Sequence, residues 1–264
     1  MIKRSELAEY IAFAHELADQ AGAAILPYFR RRIRVQNKAS SGFDPVTAAD
    51  RAAERVISKA LASRWPDHGL EGEEYGLRNE DARLRWVVDP IDGTRAFITG
   101  MPLWGTLIGL MDGDAPAVGL MDQPYTRERF WSGEKGSFFR GADGNERRIK
   151  TRTCASLAEA TLTSTDPNLF PTPREQRAFN AVKSRAQLVR YGGDCYSYCL
   201  LAAGHIDIVV ESGLKPYDVA ALIPIIERAG GRMTTWDGKS AARGGRIIAA
   251  GDPRVHEEAL ALLN

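Results

Sequence analysis

One stretch limits what this chain can fold into more than any other: Trp86 to Phe97, reading WVVDPIDGTRAF. The apolar run Trp86-Val87-Val88 predicts a buried strand that ends in Asp89. Pro90 has no N–H for a neighbouring strand, so regular pairing is expected to stop there. Gly93-Thr94 then open a short helical turn through Phe97. Asp89 and Asp92 at the end of such a strand can face one point, and the Ile91 carbonyl between them can face it too. Hard oxygen ligands of this kind suit Mg²⁺. The N–H groups of Gly93 and Thr94 stand where a helix begins, which is a natural seat for an anion. An Asx turn followed by a helix cap is the ordinary explanation for two aspartates at this spacing. The metal reading therefore needs support from the rest of the chain.

With 264 residues, the chain makes one large domain or two tightly joined lobes, divided here into residues 1–150 and 151–264. A net charge of +1 gives no sign of a nucleic-acid or membrane surface. No apolar run is long enough to span a bilayer. The opening MIKRSELAEY lacks the apolar core of a signal peptide. Cys154, Cys195 and Cys199 show no zinc spacing, and the last two stand at i and i+4 of a predicted helix, where packing is the ordinary role. These features suit a reduced cytoplasm.

Leu7, Ile11, Ala14, Leu17, Ala18, Ala21 and Ile25 recur at helical steps, which predicts a helix over residues 5–33, bent at Pro27. Arg30, Arg31, Arg32 and Arg34 would then mark its solvated C-terminal end. Residues 36–46 look like a loop. A second helix is expected over residues 48–63, with Ala52, Val56, Ile57, Ala60 and Leu61 inward and Asp50 in its first turn. Residues 103–140 carry strand signals separated by turns, as in an antiparallel meander, and Arg147 to Lys150 follow a GxDGN turn. The remainder alternates: strand Thr161–Thr165, helix 174–186, strand Leu188–Tyr191, a helix opened by Gly192-Gly193-Asp194-Cys195-Tyr196 and running through Ala203, strand Asp207–Glu211. A helical stretch from Tyr217 to Ala229 follows, then a strand at Arg246–Ala250 and a helix at Pro253–Leu263. Pro224 predicts a kink or a late helix start, because an interior helix proline costs about 3 kcal/mol or more.

Three motifs stand in order along the chain: Gly72-Glu73-Glu74, Asp89-Pro90-Ile91-Asp92-Gly93-Thr94, and Tyr217-Asp218 followed by Gly230-Gly231. Together they resemble the inositol monophosphatase superfamily of Mg²⁺-dependent, lithium-sensitive phosphatases, and the resemblance covers essentially the whole chain. It implies a layered αβαβα sandwich of the inositol monophosphatase / fructose-1,6-bisphosphatase type, with the active site between the lobes. By the same resemblance Glu73, Asp89, the Ile91 carbonyl, Asp92 and Asp218 are metal ligands for two or three Mg²⁺, with Mn²⁺ as a substitute. Asp50, in the VTxAD string, is carried over as an outer ligand with a catalytic part. Glu71 and Glu74 stay surface residues. Glu73 and Thr94 would orient the attacking water, and the Gly93 and Thr94 N–H groups would hold the phosphate. The family also implies a homodimer.

Within the superfamily, DPIDGTRAFITGMPLWGTLIGL and GGDCYSYCLLAAGHIDIVVE are most similar to the histidinol-phosphate branch. Arg95 follows DGT where the inositol pattern has Thr, and Asp194 replaces a small or neutral residue. Glu211 stands where the family places a substrate-contacting acid. Arg95, Asp194 and Glu211 are thus expected to contact the organic part of a small phosphate ester. The alternatives are an inositol-1-phosphate phosphatase of broad specificity and, from another class, a non-catalytic regulator associated with RNA polymerase or RNA. The intact ligand set argues against the second, and so does the lack of a basic excess. An N-cap role is the ordinary explanation for Asp194.

Overall fold

The structure is a computed structural model, and it describes residues 2–32, 34–37 and 45–264. In the first half the elements are α1 (Arg4–Ile25), β1 (Gln36–Asn37), β2 (Pro45–Val46), α2 (Ala48–Arg64), β3 (Gly69–Gly72), β4 (Gly76–Arg78) and β5 (Leu84–Asp92). Next come α3 (Thr94–Thr99) and a run of strands: β6 (Gly105–Asp112), β7 (Ala115–Gln123), β8 (Glu128–Gly133), β9 (Gly136–Arg140) and β10 (Glu146–Ile149). The second half alternates: β11 (Thr161–Ser164), α4 (Pro173–Lys183), β12 (Leu188–Tyr191), α5 (Asp194–Ala202) and β13 (Ile208–Leu214). It ends with α6 (Pro216–Val219), α7 (Leu222–Arg228), β14 (Arg232–Thr235), β15 (Gly245–Ala250) and α8 (Pro253–Leu263).

Two large sheets organise the chain. The first has eight strands in the order β10-β9-β8-β7-β6-β5-β3-β4; the second has five, β12-β11-β13-β15-β14. From β5 to β10 every sequential pair is antiparallel, and β6 to β9 form the meander that the turn-separated strand signals predict. Alternation along these strands sends residues to opposite faces. Trp86, Val88, Ile108 and Leu120 face α1 and α2; Val87, Leu107, Met121 and Phe130 face α5, α7 and the inner side of the second sheet. The outer side of the second sheet packs on α4 and α8 through Leu162, Ile208, Phe179, Val182, Val255 and Ala259. The result is the layered αβαβα arrangement. Trp86, Trp104, Phe97 and Phe130 are among the fully buried side chains, and each such apolar side chain contributes about 1.5–3 kcal/mol relative to exposure.

Several local expectations are corrected. α1 stops at Ile25 instead of running to residue 33, because Pro27 cannot continue the hydrogen-bond ladder; turns fill residues 26–30. The arginines after it do not cap a helix end. Arg30 has φ 59°, its Nε donates to the Gly100 carbonyl at 3.0 Å, and its guanidinium lies over the Tyr125 ring. Ile33, which ended the predicted helix, lies outside the described residues, as do Lys38 to Asp44 of the expected loop. The described residues of that expected loop are instead paired as short strands, Gln36 opposite Val46 and Asn37 opposite Pro45. The inward face of α2 is rotated from the expected one: Ala49, Asp50, Ala53, Glu54, Ile57 and Leu61 are buried, and Ala52, Val56 and Ala60 are half-buried. Pro90 does not end β5. Pairing with β6 shifts register between Asp89 and Asp92 and resumes at Asp92 opposite Gly105. Pro224 produces a late start: the stretch breaks into α6 and α7, and Pro224 falls in the first turn of α7, where its missing N–H costs no helical bond. Glu71 is not a free surface acid; it is half-buried beside Arg85, with 3.2 Å between Nε and Oε2.

The three cysteines are buried thiols. Among the described residues no helix is long and apolar enough to cross a membrane.

Candidate active site

The register shift in β5 gives the site its shape. Pro90 cannot donate to β6, and its carbonyl takes the Thr106 hydroxyl at 2.8 Å instead. The irregularity turns Asp89 and Asp92 toward the same side. Asp89 Oδ1 accepts the Ile91 N–H at 2.9 Å, which is an Asx turn, so the ordinary explanation of the spacing is also correct. The turn holds the carboxylate without using both its oxygens. Gly93 follows at φ 85°, a left-handed conformation that glycine adopts at no steric cost, and α3 starts behind it. A Cβ on Gly93 would lie 3.1 Å from Asp194 Cγ, so the absent side chain is what lets the second half of the chain approach β5.

Asp218 reaches the same place from residues far along the chain. Gly109 and Gly119 are register partners on β6 and β7, and a Cβ on Gly119 would lie 1.9 Å from the Ala221 carbonyl oxygen. The bare sheet surface there admits the backbone between α6 and α7. Asp218, in the first turn of α6, accepts the Lys215 N–H at 2.6 Å. One carboxylate oxygen each from Asp89, Asp92 and Asp218 lie within 4.8 Å of one another. Glu73, in the turn after β3, joins this group through a side-chain hydrogen bond with Asp89. All four line a cleft of about 350 Å³, together with Ile91, Gly93, Thr94, Arg95, Asp194 and Glu211. The Thr94 hydroxyl donates to the Ile91 carbonyl at 3.0 Å.

Asp50 stands apart. It does not line this cleft; its Oδ2 takes the Thr47 N–H at 2.8 Å and the Thr47 hydroxyl at 2.6 Å, capping α2. Its Oδ1 is buried without a hydrogen-bond partner among the described residues, and burial first of all pushes its carboxyl up to about 6. Asp194 is not the N-cap of α5. Gly193 holds that position, and Asp194 begins the helix at φ 42°.

Sequence reasoning missed the groups that hold these acids. The Cys195 N–H donates to Asp92 Oδ2 at 2.6 Å across 103 positions of sequence. Glu211, 2% exposed, accepts the Thr165 N–H at 2.8 Å and the Tyr198 hydroxyl at 3.0 Å. No short-range signal marks partners so distant. Glu54 is a different case. A charged residue on the apolar face of α2 was the available signal.

The electrostatics are those of crowded acids. Burial, then the charges of Glu73, Asp92 and Asp218, hold the Asp89 carboxyl well above the usual range. Burial, then Asp194 and Asp218, does the same to Asp92. Asp218 is pushed up to about 7 by burial, against the Lys215 N–H bond that favours its ionised form. Asp194 is pushed up to about 7 by burial and by Glu211, with Arg95 opposing. An all-oxygen donor set whose members resist ionisation beside one another fits a hard divalent cation, which would offset the repulsion.

The Inositol monophosphatase family model matches residues 6–264. The chain is 42% identical over 267 aligned positions to the bifunctional phosphatase IMPL2, chloroplastic, of Arabidopsis thaliana, covering 97% of this chain and 75% of that protein. It is 35% identical to the histidinol-phosphatase of Mycobacterium tuberculosis, covering 83% of this chain and 85% of the relative. Among solved structures, an inositol monophosphatase from Zymomonas mobilis superposes with a TM-score of 0.86 at 41% identity, covering 97% of this chain and 98% of the other.

Proposed function

The chain belongs to the inositol monophosphatase family of phosphatases, and on that premise we propose that it hydrolyses L-histidinol phosphate to L-histidinol and phosphate, the phosphate-ester step of histidine biosynthesis, using Mg²⁺ or Mn²⁺. Glu73, Asp89, the Ile91 carbonyl, Asp92 and Asp218 would hold two or three such cations, with Asp50 in an outer position. When bound, the cations supply Lewis-acid charge, which lowers the pKa of a water and offsets charge on the phosphoryl oxygens. The chain supplies orientation. The Gly93 and Thr94 N–H groups at the start of α3 receive phosphoryl oxygens. The Thr94 hydroxyl commits its proton to the Ile91 carbonyl, so its lone pairs are left to accept a hydrogen bond from the attacking water. Glu73 accepts the second. As the water's oxygen bonds to phosphorus the ester P–O bond breaks; the water's proton passes to solvent and the leaving oxygen takes one from solvent, so no covalent phospho-enzyme is needed.

The observation that carries the choice of ester is the pair Asp194 and Glu211 in the same cleft as the carboxylate cluster. Histidinol phosphate brings an ammonium and an imidazole, and an ammonium needs a counter-charge where water is excluded. Inositol phosphate brings only hydroxyls. Burial and Glu211 push Asp194 up to about 7, against Arg95, and an ammonium arriving beside it would favour its ionised form. The relatives support both esters: one is named a histidinol-phosphatase, one a bifunctional phosphatase, and one structure is an inositol monophosphatase. The homodimer remains the proposed assembly.

The deciding experiment is phosphate release from histidinol phosphate, inositol-1-phosphate, fructose-1,6-bisphosphate and adenosine bisphosphate, with Mg²⁺ and after exhaustive chelation. Histidinol phosphate is expected to give the highest kcat/KM, with turnover lost on chelation and inhibited by lithium. A preference for the inositol ester selects the broad-specificity phosphatase. No turnover of any ester selects the regulator. Thr94→Ala is expected to lower kcat by about a hundredfold, as for misplacement of a reacting group held in line for attack, with KM nearly unchanged. A rise in KM alone would assign Thr94 to the phosphate seat only.

A further inference from the structure

We propose that Glu54 is the positioning residue for Glu73: from the core face of α2 it holds the turn that aims Glu73 at the carboxylate cluster. Glu54 is 0% exposed. A buried carboxylate is costly unless its oxygens are hydrogen-bonded. Here both are committed to one short stretch of backbone. Oε2 accepts the Glu74 N–H at 2.8 Å, and Oε1 accepts the Tyr75 N–H at 2.9 Å. These are the two peptide groups directly after Glu73. On the other side of Glu73 the chain also presses on Glu54: a Cβ on Gly72 would lie 1.9 Å from Oε1. The residue before Glu73 and the two after it thus rest on one carboxylate, and Glu73 itself hydrogen-bonds Asp89.

Only a carboxylate can do this work. Two separate N–H donors need two acceptor oxygens on one side chain; Gln would turn an NH₂ toward one of them, and Asp is one methylene short. The charge stands close to Glu73 and Glu74, whose repulsion adds to its burial cost. A residue serving only to fill the core of α2 would be cheaper uncharged, as Ala53 and Ile57 are on the same face. The geometry therefore reads as a brace that fixes a metal-ligand turn in a loop that would otherwise be free to vary. Partners that hold a ligand in place typically account for about 10- to 100-fold in metal affinity.

The inference rests on Glu73 being a cation ligand, so the test measures both. Mn²⁺ binding to the full chain is followed by calorimetry for wild type, Glu73→Gln, Glu54→Gln and the double variant, with the Tm of each in chelator as a folding control. Glu54→Gln is expected to weaken Mn²⁺ about tenfold while the chelated Tm moves by a few degrees only. In the Glu73→Gln background the same change should cost less than about twofold, because the brace has nothing left to aim. If Glu73→Gln leaves Mn²⁺ affinity unchanged, the ligand reading of Glu73 is wrong. If Glu73→Gln weakens it and Glu54→Gln does not, or weakens it equally in both backgrounds, the brace is wrong and the site reading stands. Should Glu54→Gln fail to fold, amide exchange in the wild-type protein decides: protection of the Glu74 and Tyr75 amides that rises with Mn²⁺ supports the brace, and exchange at open-loop rates overturns it.

Discussion

Asp89→Asn and Asp92→Asn are each expected to lower kcat/KM by at least about a thousandfold, some 4 kcal/mol of transition-state stabilisation, and to leave the fold intact. The amides keep the local hydrogen bonds. At position 89 the amide oxygen could still accept from the Ile91 N–H, and at position 92 from the Cys195 N–H, since each bond needs one acceptor oxygen. What they lose is the charge. The same variants should invert the usual order of stability. In the wild-type protein without metal, Asp89, Asp92 and Asp218 have folded pKa values raised above the unfolded carboxylate range, Asp218 to about 7. Groups raised in this way contribute stability that is fully present below the unfolded value near 4 and is lost as pH rises through the folded value. The chelated wild type is therefore expected to lose Tm between about pH 4 and pH 7, apart from its other titrating groups. Asp89→Asn and Asp92→Asn should flatten that loss. Added Mg²⁺ should reverse the ranking, because it binds the native carboxylates and stabilises wild type by about 2.7 kcal/mol at a hundredfold excess over Kd. Mg²⁺ affinity should rise over the same pH window, as the cation must displace protons. Thermal melts at pH 5, 6, 7 and 8, with chelator and with Mg²⁺, check all of this. Variants that keep more than a tenth of wild-type kcat, or a chelated wild type whose Tm does not fall relative to that of Asp89→Asn and Asp92→Asn from pH 5 to pH 8, would sink the metal-site reading.

Asp194→Asn is expected to lower kcat/KM on histidinol phosphate by at least tenfold, about 1.4 kcal/mol, with much less effect on inositol-1-phosphate. Because Gly193 is the cap of α5, Asp194→Asn does not test a cap. Asp194 sits at φ 42°, and Asn tolerates that left-handed region as well as Asp does, so the backbone should not object. The substitution isolates the charge. Glu211→Gln is less clean, since Glu211 uses one oxygen for the Thr165 N–H and the other for the Tyr198 hydroxyl. It is expected to reduce turnover of both esters, through the loss of one of these bonds as well as of the charge. Kinetics of both variants on both esters separate the two roles. Equal losses with Asp194→Asn on the two esters would remove the ammonium contact and favour the inositol-phosphate reading.

Periodicity was enough for the meander from β6 to β9, because each strand pairs with its neighbour in sequence and the turns between them carry their own signals. It failed where a local rule met a tertiary one. Pro27 ended α1, but Pro90 only shifted a register, since pairing with β6 resumes at Asp92 and the Pro90 carbonyl accepts the Thr106 hydroxyl. On α2 the buried face could not be read from hydrophobicity alone. Asp50 and Glu54 are buried there for hydrogen bonds to Thr47, Glu74 and Tyr75, while apolar Val56 and Ala60 are left half-exposed.

By itself the sequence determined that two aspartates end a buried strand, that a glycine turn and a helix start follow them, and that Glu73 and Asp218 belong to motifs of one phosphatase family. Those are properties of short segments, set by side-chain type and backbone freedom within a few residues. Only the tertiary structure decided that Asp218 reaches Asp89, that Asp194 faces Gly93, and that Glu54 lies beneath Glu73. Each of these depends on contacts between elements far apart in the chain. Gly119 makes room for the backbone at Ala221, Gly93 for Asp194, and Gly72 for Glu54. A missing Cβ has no periodicity to read, and its consequence becomes visible only when the second surface arrives.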